Sequence, residues 1–420
     1  GQINIGSIAV NHTIKTVALV DPGEVTPAAP VNLLAQGLDS NGASVAVSPR
    51  AFSWIPFNNE IATLDQAGLL TPKTPGNLSL KVQINGITYT LALAVSPAPG
   101  TEYYKPAALL FNSSQMNPTK ITDFGSVVGH IGVQPAVMTS LTAAPTLLTP
   151  PAFTTQQVNP FAMNKNGAIL AWYYTDQTHT SQGYVMWKSP SSAPIQVQAT
   201  GTDGSLNRII IDIAPDGTMY GTTQLTGDTQ ACYWTDENQT TATSLYILNK
   251  SRALAVSSTG LVLLASQTGS STYVQVALTS PSASPVFVQN AQSNFPTNAF
   301  ISSDNRIVES TDGYGERHVS YWSSPSATPV FYERLLGGEK PLTQGVNSRG
   351  ESYGYSYRNG IDDIPLMFIG GKRRPLDTLV PAGSPTPVGH IIGLTDLGEV
   401  IIKADDGSGG FNFYRYTPKQ

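Results

Sequence analysis

The sequence predicts an all-β protein, a β-sandwich followed by a seven-bladed β-propeller with six blades as the fallback. Three observations predict it: a repeated turn, a repeated bulky residue and a weakly charged composition. Seven times between Asp123 and Gly398 a short apolar run reaches a tight turn on Gly or Asn and re-enters a second apolar run. The pivots are Gly125, Gly167, Gly217, Gly260, Asn305, Gly350 and Gly398, separated by 42, 50, 43, 45, 45 and 48 residues. A unit of about 40 to 50 residues is the length of a four-stranded propeller blade. Each pivot has to tolerate positive φ, which Gly does freely and Asn better than other residues, so Asn305 continues the series. Third strands end on a large side chain, at Met138, Trp187, Trp234, Leu278, Trp322, Ile369 and Tyr416. Such residues are suited to pack between neighbouring blades.

Charged residues make up 12% of the chain and the net charge is -5, with Thr, Ser, Gly and Pro filling the spaces between apolar runs. This balance argues against a nucleic-acid partner, which needs clustered Lys and Arg. The one basic run, Lys372, Arg373 and Arg374, is expected at a solvated turn. Cys232 is the single cysteine, and its apolar slot two residues before Trp234 reads as a buried thiol. One Cys and five His residues build no metal-ligand spacing, so neither a metal nor a cofactor is expected. No apolar run is long enough for a transmembrane segment. The chain starts at Gly1 rather than Met, which fits a processed, exported chain and makes a secreted or cell-surface location the expectation.

Residues 1–98 lie outside the repeat. Strands are expected over Val31 to Leu38, Ala51 to Trp54, Glu60 to Asp65, Asn77 to Ile84 and Thr88 to Val95, with turns at Ser40-Asn41-Gly42 and Asn85-Gly86. Short strands at this spacing indicate a sandwich, with Trp54 as its large buried side chain. From Phe52 to Val95 a Trp strand precedes an Asn turn, an ATxD strand, a GLxT turn and a Pro-Gly step, carried by Trp54, Asn58, Ile61, Ala62, Leu64, Asp65, Gly68, Leu69, Pro75 and Gly76. On these residues, segment 16–98 resembles the bacterial group 2 immunoglobulin-like domain. The resemblance implies an immunoglobulin-like sandwich, a bacterial source and a spacer or stalk role in surface adhesins. Segment 1–15 lies upstream of that domain's first strand and alternates Ile3, Ile5, Ser7 and Ala9 against polar or small neighbours. It reads as an extra edge strand or ordered tail, or as a donor strand that pairs with an open sheet edge of a neighbouring subunit.

Segment 99–420 carries the propeller. The third-to-fourth turn is nearly duplicated as SPSSAPIQV from Ser189, SPSASPVFV from Ser280 and SPSATPVFY from Ser324, where paired prolines suit an outer edge. The last unit ends one strand short at Gln420, while a strand-like run at 105–112 precedes the first unit. Ala107, Leu109 and Phe111 are therefore expected to supply the last blade's outer strand and close the ring. The pattern of hydrophobic-N-x-x-G followed by A-x-h-W over residues 118–417 resembles the extracellular HAF repeats, loosely, because Leu264 and Glu309 replace the small residue seen at Gly129, Ala171, Gly221 and Gly354.

A propeller enzyme would place acids or bases on its innermost strands. Five residues before each pivot stand Lys120, Ala162, Asp212, Ala255, Phe300, Gly345 and Gly393; three before stand Thr122, Asn164, Ala214, Ser257, Ser302, Asn347 and Thr395. Neither series is a ring of carboxylates. Asp123 and Asp396, two before their pivots, read as turn formers, and Asp212 alone does not make a glycosidase pair. His130, His179, His318 and His390 fall at unlike positions, and Asp405 to Gly410 reads as a hairpin turn. Asn11, Asn77, Asn112, Asn238 and Asn249 begin glycosylation sequons. The expected function is a non-enzymatic structural or adhesive surface protein, with homopolymerisation through the N-terminal strand as its sharper form. The alternative is a lectin-like module stacking glycans on the loop aromatics Tyr173, Tyr174, Tyr314 and Tyr357; a propeller glycosidase or lyase ranks below both.

Overall fold

The computed structural model describes residues 14–20, 22, 25–27, 29–41, 43–45, 51–59, 61–84, 86–96, 102–175, 182–199, 208–225, 228–245, 250–267, 273–293, 296–313, 316–332, 340–358 and 361–419. Every sheet among them is antiparallel, and the chain divides into two compact units, Gly1–Ala98 and Pro99–Gln420. Ile3, Ile5, Ser7, Ala9 and Asn11 lie outside the described residues, as do His179, Tyr314 and Asn249.

Among its described residues the first unit holds three small sheets. One pairs Thr16–Leu19, Ala35–Leu38 and Ser44–Val45; another pairs Ile87–Val95, Gly76–Ile84 and Ser53–Trp54. The third orders Val31–Asn32, Leu69–Pro72, Ala62–Leu64 and Phe57–Asn58. The single strand expected over Val31 to Leu38 is thus two strands in different sheets. Their alternating apolar residues converge on one core that contains Trp54, Leu64, Leu70, Leu80, Val82 and Leu93. Gly68 has φ 92° and lies against the Trp54 indole, where a Cβ would stand 2.5 Å from Nε1. The neighbouring turns are held by side chains: Asn59 Oδ1 accepts from the Ile61 and Ala62 amides, and Asp65 Oδ1 from those of Ala67 and Leu69.

In the second unit, seven four-stranded sheets follow one another among the described residues. Their innermost strands are Asn117–Ile121, Asn159–Met163, Arg208–Ile213, Ser251–Val256, Pro296–Ile301, Lys340–Val346 and Ile391–Leu394. Each contacts the next, and Ile391–Leu394 contacts Asn117–Ile121, so the sheets form a closed ring, the β-propeller architecture. All seven pivots have positive φ, from 68° at Asn305 to 93° at Gly217, and Asn305 is the one non-glycine with positive φ among the described residues.

Among the described residues, the ring's buried apolar side chains form seven clusters, each between two neighbouring sheets. Third-strand termini anchor them: Trp187 between the first and second sheets, Trp234 between the second and third, Trp322 between the fourth and fifth. Register identifies Phe368, rather than Ile369, as the sixth member, because Ser352 pairs with Phe368 as Ile307 does with Trp322. The strand runs one residue further into a two-glycine hairpin at Gly370 and Gly371, both with positive φ. That hairpin also corrects the expected solvated turn at Lys372, Arg373 and Arg374. They belong to strand Lys372–Pro375, and Arg373 is buried.

The seventh sheet orders Ala108–Asn112, Phe411–Tyr416, Val400–Asp405 and Ile391–Leu394, so its outermost strand precedes the first sheet in sequence. Ala107 stands just before that strand. Leu109 pairs with Tyr414 and Phe111 with Phe413, across a bulge at Leu110. The bulge breaks the expected alternation: Phe111 is buried, whereas Leu109 is exposed. A second tie lies alongside, where Lys105 and Lys419 amides donate to Thr417 and Tyr103 carbonyls, each at 2.9 Å. Tyr103 donates to buried Glu351, which also accepts from Asn347 Nδ2 at 2.8 Å.

Inner strands carry a bulge of their own, which brings a carbonyl against the second strand. A Cβ on Gly354 would stand 1.8 Å from Leu342 O, and one on Gly129 or Gly221 2.2 Å from Asn117 O or Ile209 O. Gly354→Ala is therefore expected to destabilise the second unit by about 3 kcal/mol, read as a lowered denaturant midpoint.

Candidate functional site: the central cavity

Inner strands from every sheet of the ring line a cavity of about 800 Å³. Ladder pairing skips Thr119, Phe161, Ile211, Leu254, Gln344 and Ile392, each six residues before its pivot, and Thr297 in the fifth sheet. Such a bulge sets two residues against one on the partner strand and re-aims a side chain. Thr119, Ile211, Leu254, Gln344 and Ile392 accordingly reach the cavity wall, joined by Lys120, Asp212, Ala255, Phe300 and Gly345 of the series five before the pivot. Ala162 of that series packs instead between the second and third sheets.

Lys120 Nζ lies 2.8 Å from Asp212 Oδ2, joining the first and third sheets across the cavity. The lone acid noted in the sequence is therefore neutralised by a lysine. Of the residues three before each pivot, six are hairpin caps, as in Thr122 Oγ1 accepting from Ser126 N at 2.9 Å and Asn347 Oδ1 from Glu351 N at 2.9 Å. They are buried in their own turns.

Residues two before the pivot do more than the turn formation expected of them, which Asp123 shows in accepting from the Phe124 amide at 3.0 Å. Asp396 accepts from Ser303 Oγ and, at 2.8 Å, from Ser348 N; its own amide donates to Asp123 O at 2.7 Å. Asp123 in turn bonds Ser258. Bonds from the fifth sheet to the seventh and from the first to the fourth have to cross the ring, so these groups bridge its turn end. Burial, then the Asp396 carboxylate, pushes the Asp123 carboxyl up to about 6, against the Ser258 hydroxyl, Lys120 and the Phe124 amide. Beyond turn formation, then, the two aspartates span the channel. A period count at two before the pivot (Asp123, Lys165, Pro215, Ser258, Ser303, Ser348, Asp396) was the available signal.

On the wall of the sixth and seventh sheets the His390 ring stacks on Tyr355, with centroids 4.0 Å apart and planes 23° apart. Lys403 also lines the cavity, with its ammonium 3.5 Å from the Phe411 ring centroid. These residues share no repeat position and were not legible as a group.

The proposed stacking tyrosines are not brought together as loop residues. Tyr173 and Tyr174 end strand Ile169–Tyr174, and Tyr357 belongs to Ser352–Arg358. Tyr173 is buried against Phe153 and its hydroxyl accepts from Gln196 Nε2 at 3.1 Å, so its face is closed to a sugar. Tyr174 meets Trp172 edge-on at 5.0 Å. Of the sequons, Asn77 lies in strand Gly76–Ile84, Asn112 Oδ1 accepts from the Ser114 and Gln115 amides, and Asn238 is exposed in a turn. His130 is buried with Nε2 2.8 Å from Val158 O. Cys232 is buried too, which pushes its thiol up to about 12. Among the described residues no three His, Cys, Asp or Glu side chains cluster to hold a metal, and no helix is long and apolar enough to cross a membrane.

No protein-family model matches the chain, and no curated protein sequence does. Among solved structures it is similar to virginiamycin B lyase from Staphylococcus aureus, at 13% identity and TM-score 0.42 over 75% of this chain and 99% of that chain. It is similar to YCF48 bound to D1 peptide at 12% identity and TM-score 0.45, over 77% of this chain and 98% of that one. TolB from Acinetobacter baumannii is similar at 12% identity and TM-score 0.38, over 72% and 78%. Likenesses this distant carry no argument about activity, ligand or partner.

Proposed function

We propose that this chain is a non-enzymatic, lectin-like binding module of a secreted or cell-surface protein, with an immunoglobulin-like sandwich followed by a seven-bladed propeller. Its saccharide site is the central cavity, not the loop tyrosines. One observation carries the reading: a space of about 800 Å³ combines aromatic surface at Tyr355 and Phe300 with polar groups at Lys120, Asp212, Gln344 and His390. That volume falls in the usual small-ligand range of about 300–1,000 Å³, and convergent polar groups on an aromatic wall suit a ring bearing hydroxyls. The immunoglobulin-like reading is supported by Trp54 buried in its core and by Gly68 against the indole.

The test is a glycan array probed with the whole chain, then with Tyr355→Ala and Asp212→Ala. The expected result is retention of a restricted set of glycans and a loss of at least about tenfold in affinity in each variant. An array without retained glycans, or binding indifferent to both substitutions, sinks the reading.

A further inference from the structure

Lys403 is a half-buried cation on the cavity wall without an anion to meet it. It lies on strand Val400–Asp405, where it pairs with Phe413 and its carbonyl accepts from the Val388 amide at 2.7 Å. Its ammonium stands over the Phe411 ring, and no carboxylate or hydrogen-bond acceptor partners it among the described residues. The cavity's own acids are engaged elsewhere, Asp212 on Lys120 and Asp123 on Ser258 and the Phe124 amide. Nearby Asp405 and Asp406 accept from turn amides of Gly407, Ser408 and Gly410. A half-buried ammonium keeps three N–H donors that an aromatic face satisfies only in part, so its desolvation calls for an anion.

A second polar residue stands on the same wall. Gln344, the bulge residue of the sixth inner strand, lines the cavity, with its Oε1 enclosed by protein atoms. Tyr355, paired with Leu342 two residues away on that strand, stacks on His390, and both line the cavity with Lys403. Within two adjacent sheets the wall therefore offers one lysine ammonium and an aromatic surface among the described residues. A phosphate would call for backbone amides at a helix terminus or several cations, whereas the other lysine lining the cavity, Lys120, is already paired with Asp212.

Resting on the saccharide reading above, we infer that the cavity selects an acidic sugar, a hexuronate whose carboxylate meets Lys403 and whose ring lies on the aromatic wall at Tyr355. The pairing is single-charge on single-charge, which matches a carboxylate.

Calorimetric titration of the whole chain tests this with three probes: a hexuronic acid trimer, its carboxyl-reduced neutral form and a sulfated neutral trimer. The uronate is expected to bind at least about tenfold tighter than the reduced form, with affinity falling as salt rises. Lys403→Met should erase that preference while leaving the melting temperature unchanged, and Lys403→Arg should retain it. Equal binding of acid and reduced forms, or a preference that survives Lys403→Met, overturns the acidic-sugar assignment and leaves the lectin reading standing. Tighter binding of the sulfated trimer overturns the carboxylate. Failure of all three probes, together with an empty glycan array, removes both readings.

Discussion

The double variant Tyr104→Ala, Phe111→Ala is expected to lose about 6–10 kcal/mol of stability in Pro99–Gln420, taking about 3–5 kcal/mol for each buried aromatic. Phe111 packs on Phe413 with centroids 5.0 Å apart, in the cluster between the seventh and first sheets. Tyr104 is fully buried between the sixth and seventh sheets and bridges to Pro418. Both residues belong to the segment that completes the last sheet, so the variant weakens two adjacent interfaces at the one place where the ring is closed by chain ends. In a ring whose apolar residues lie between sheets, opening one interface exposes a strand edge and an apolar face together. Such a loss is comparable to the whole stability of an ordinary domain, about 5–15 kcal/mol. Tryptophan fluorescence during denaturant unfolding reads it, since Trp187, Trp234 and Trp322 are buried in this unit. An unchanged midpoint would mean that the ring is held elsewhere.

Asp123→Asn is expected to stabilise the same unit above pH 6 and to flatten its pH dependence below. The Asp123 carboxyl is raised from 3.8 to about 6, so the folded chain keeps a proton that the unfolded chain releases between those values. Its contribution is full below about pH 4, is lost as pH rises to about 6, and stays lost above. At about 1.4 kcal/mol per unit, the difference of 3.8 and 6 corresponds to at most about 3 kcal/mol, reduced by the solvent that reaches a half-buried group. Asparagine keeps the shape and bonding capacity without the charge facing Asp396. Denaturant midpoints at pH 4, 5, 6 and 7.5 check this, and parallel native and variant curves would refute it.

Legibility followed the range of the physics. The pivots stood out because positive φ is a single-residue demand, met by six glycines and Asn305. Trp187, Trp234 and Trp322 stood out because large side chains at strand ends recur with the turn. Phe368 did not, since the two-glycine hairpin after it lengthens the strand by a residue and shifts the apparent register. Tyr173 looked like a loop aromatic because Tyr-Tyr next to Thr-Asp resembles a strand end, yet its ring faces the first sheet. The candidate site was the least legible part. Lys120 and Asp212 sit 92 residues apart, and Tyr355, His390 and Lys403 occupy unlike positions in different units.

What the sequence by itself determined is the local and periodic part: β-structure throughout, turns on Gly or Asn at fixed offsets, and a bulky residue ending each third strand. These follow from backbone sterics and from the two-residue alternation of a strand, which neighbours in the chain decide. Tertiary structure alone decided which side chains meet in the middle. Ring closure brings the inner strands of all sheets around one space, and the bulges let adjacent residues such as Thr119 and Lys120 or Ile211 and Asp212 both line it. The Lys120–Asp212 pair, the Asp123–Asp396 bridge and the unpaired Lys403 all depend on that closure, because no local rule carries a distance across a ring.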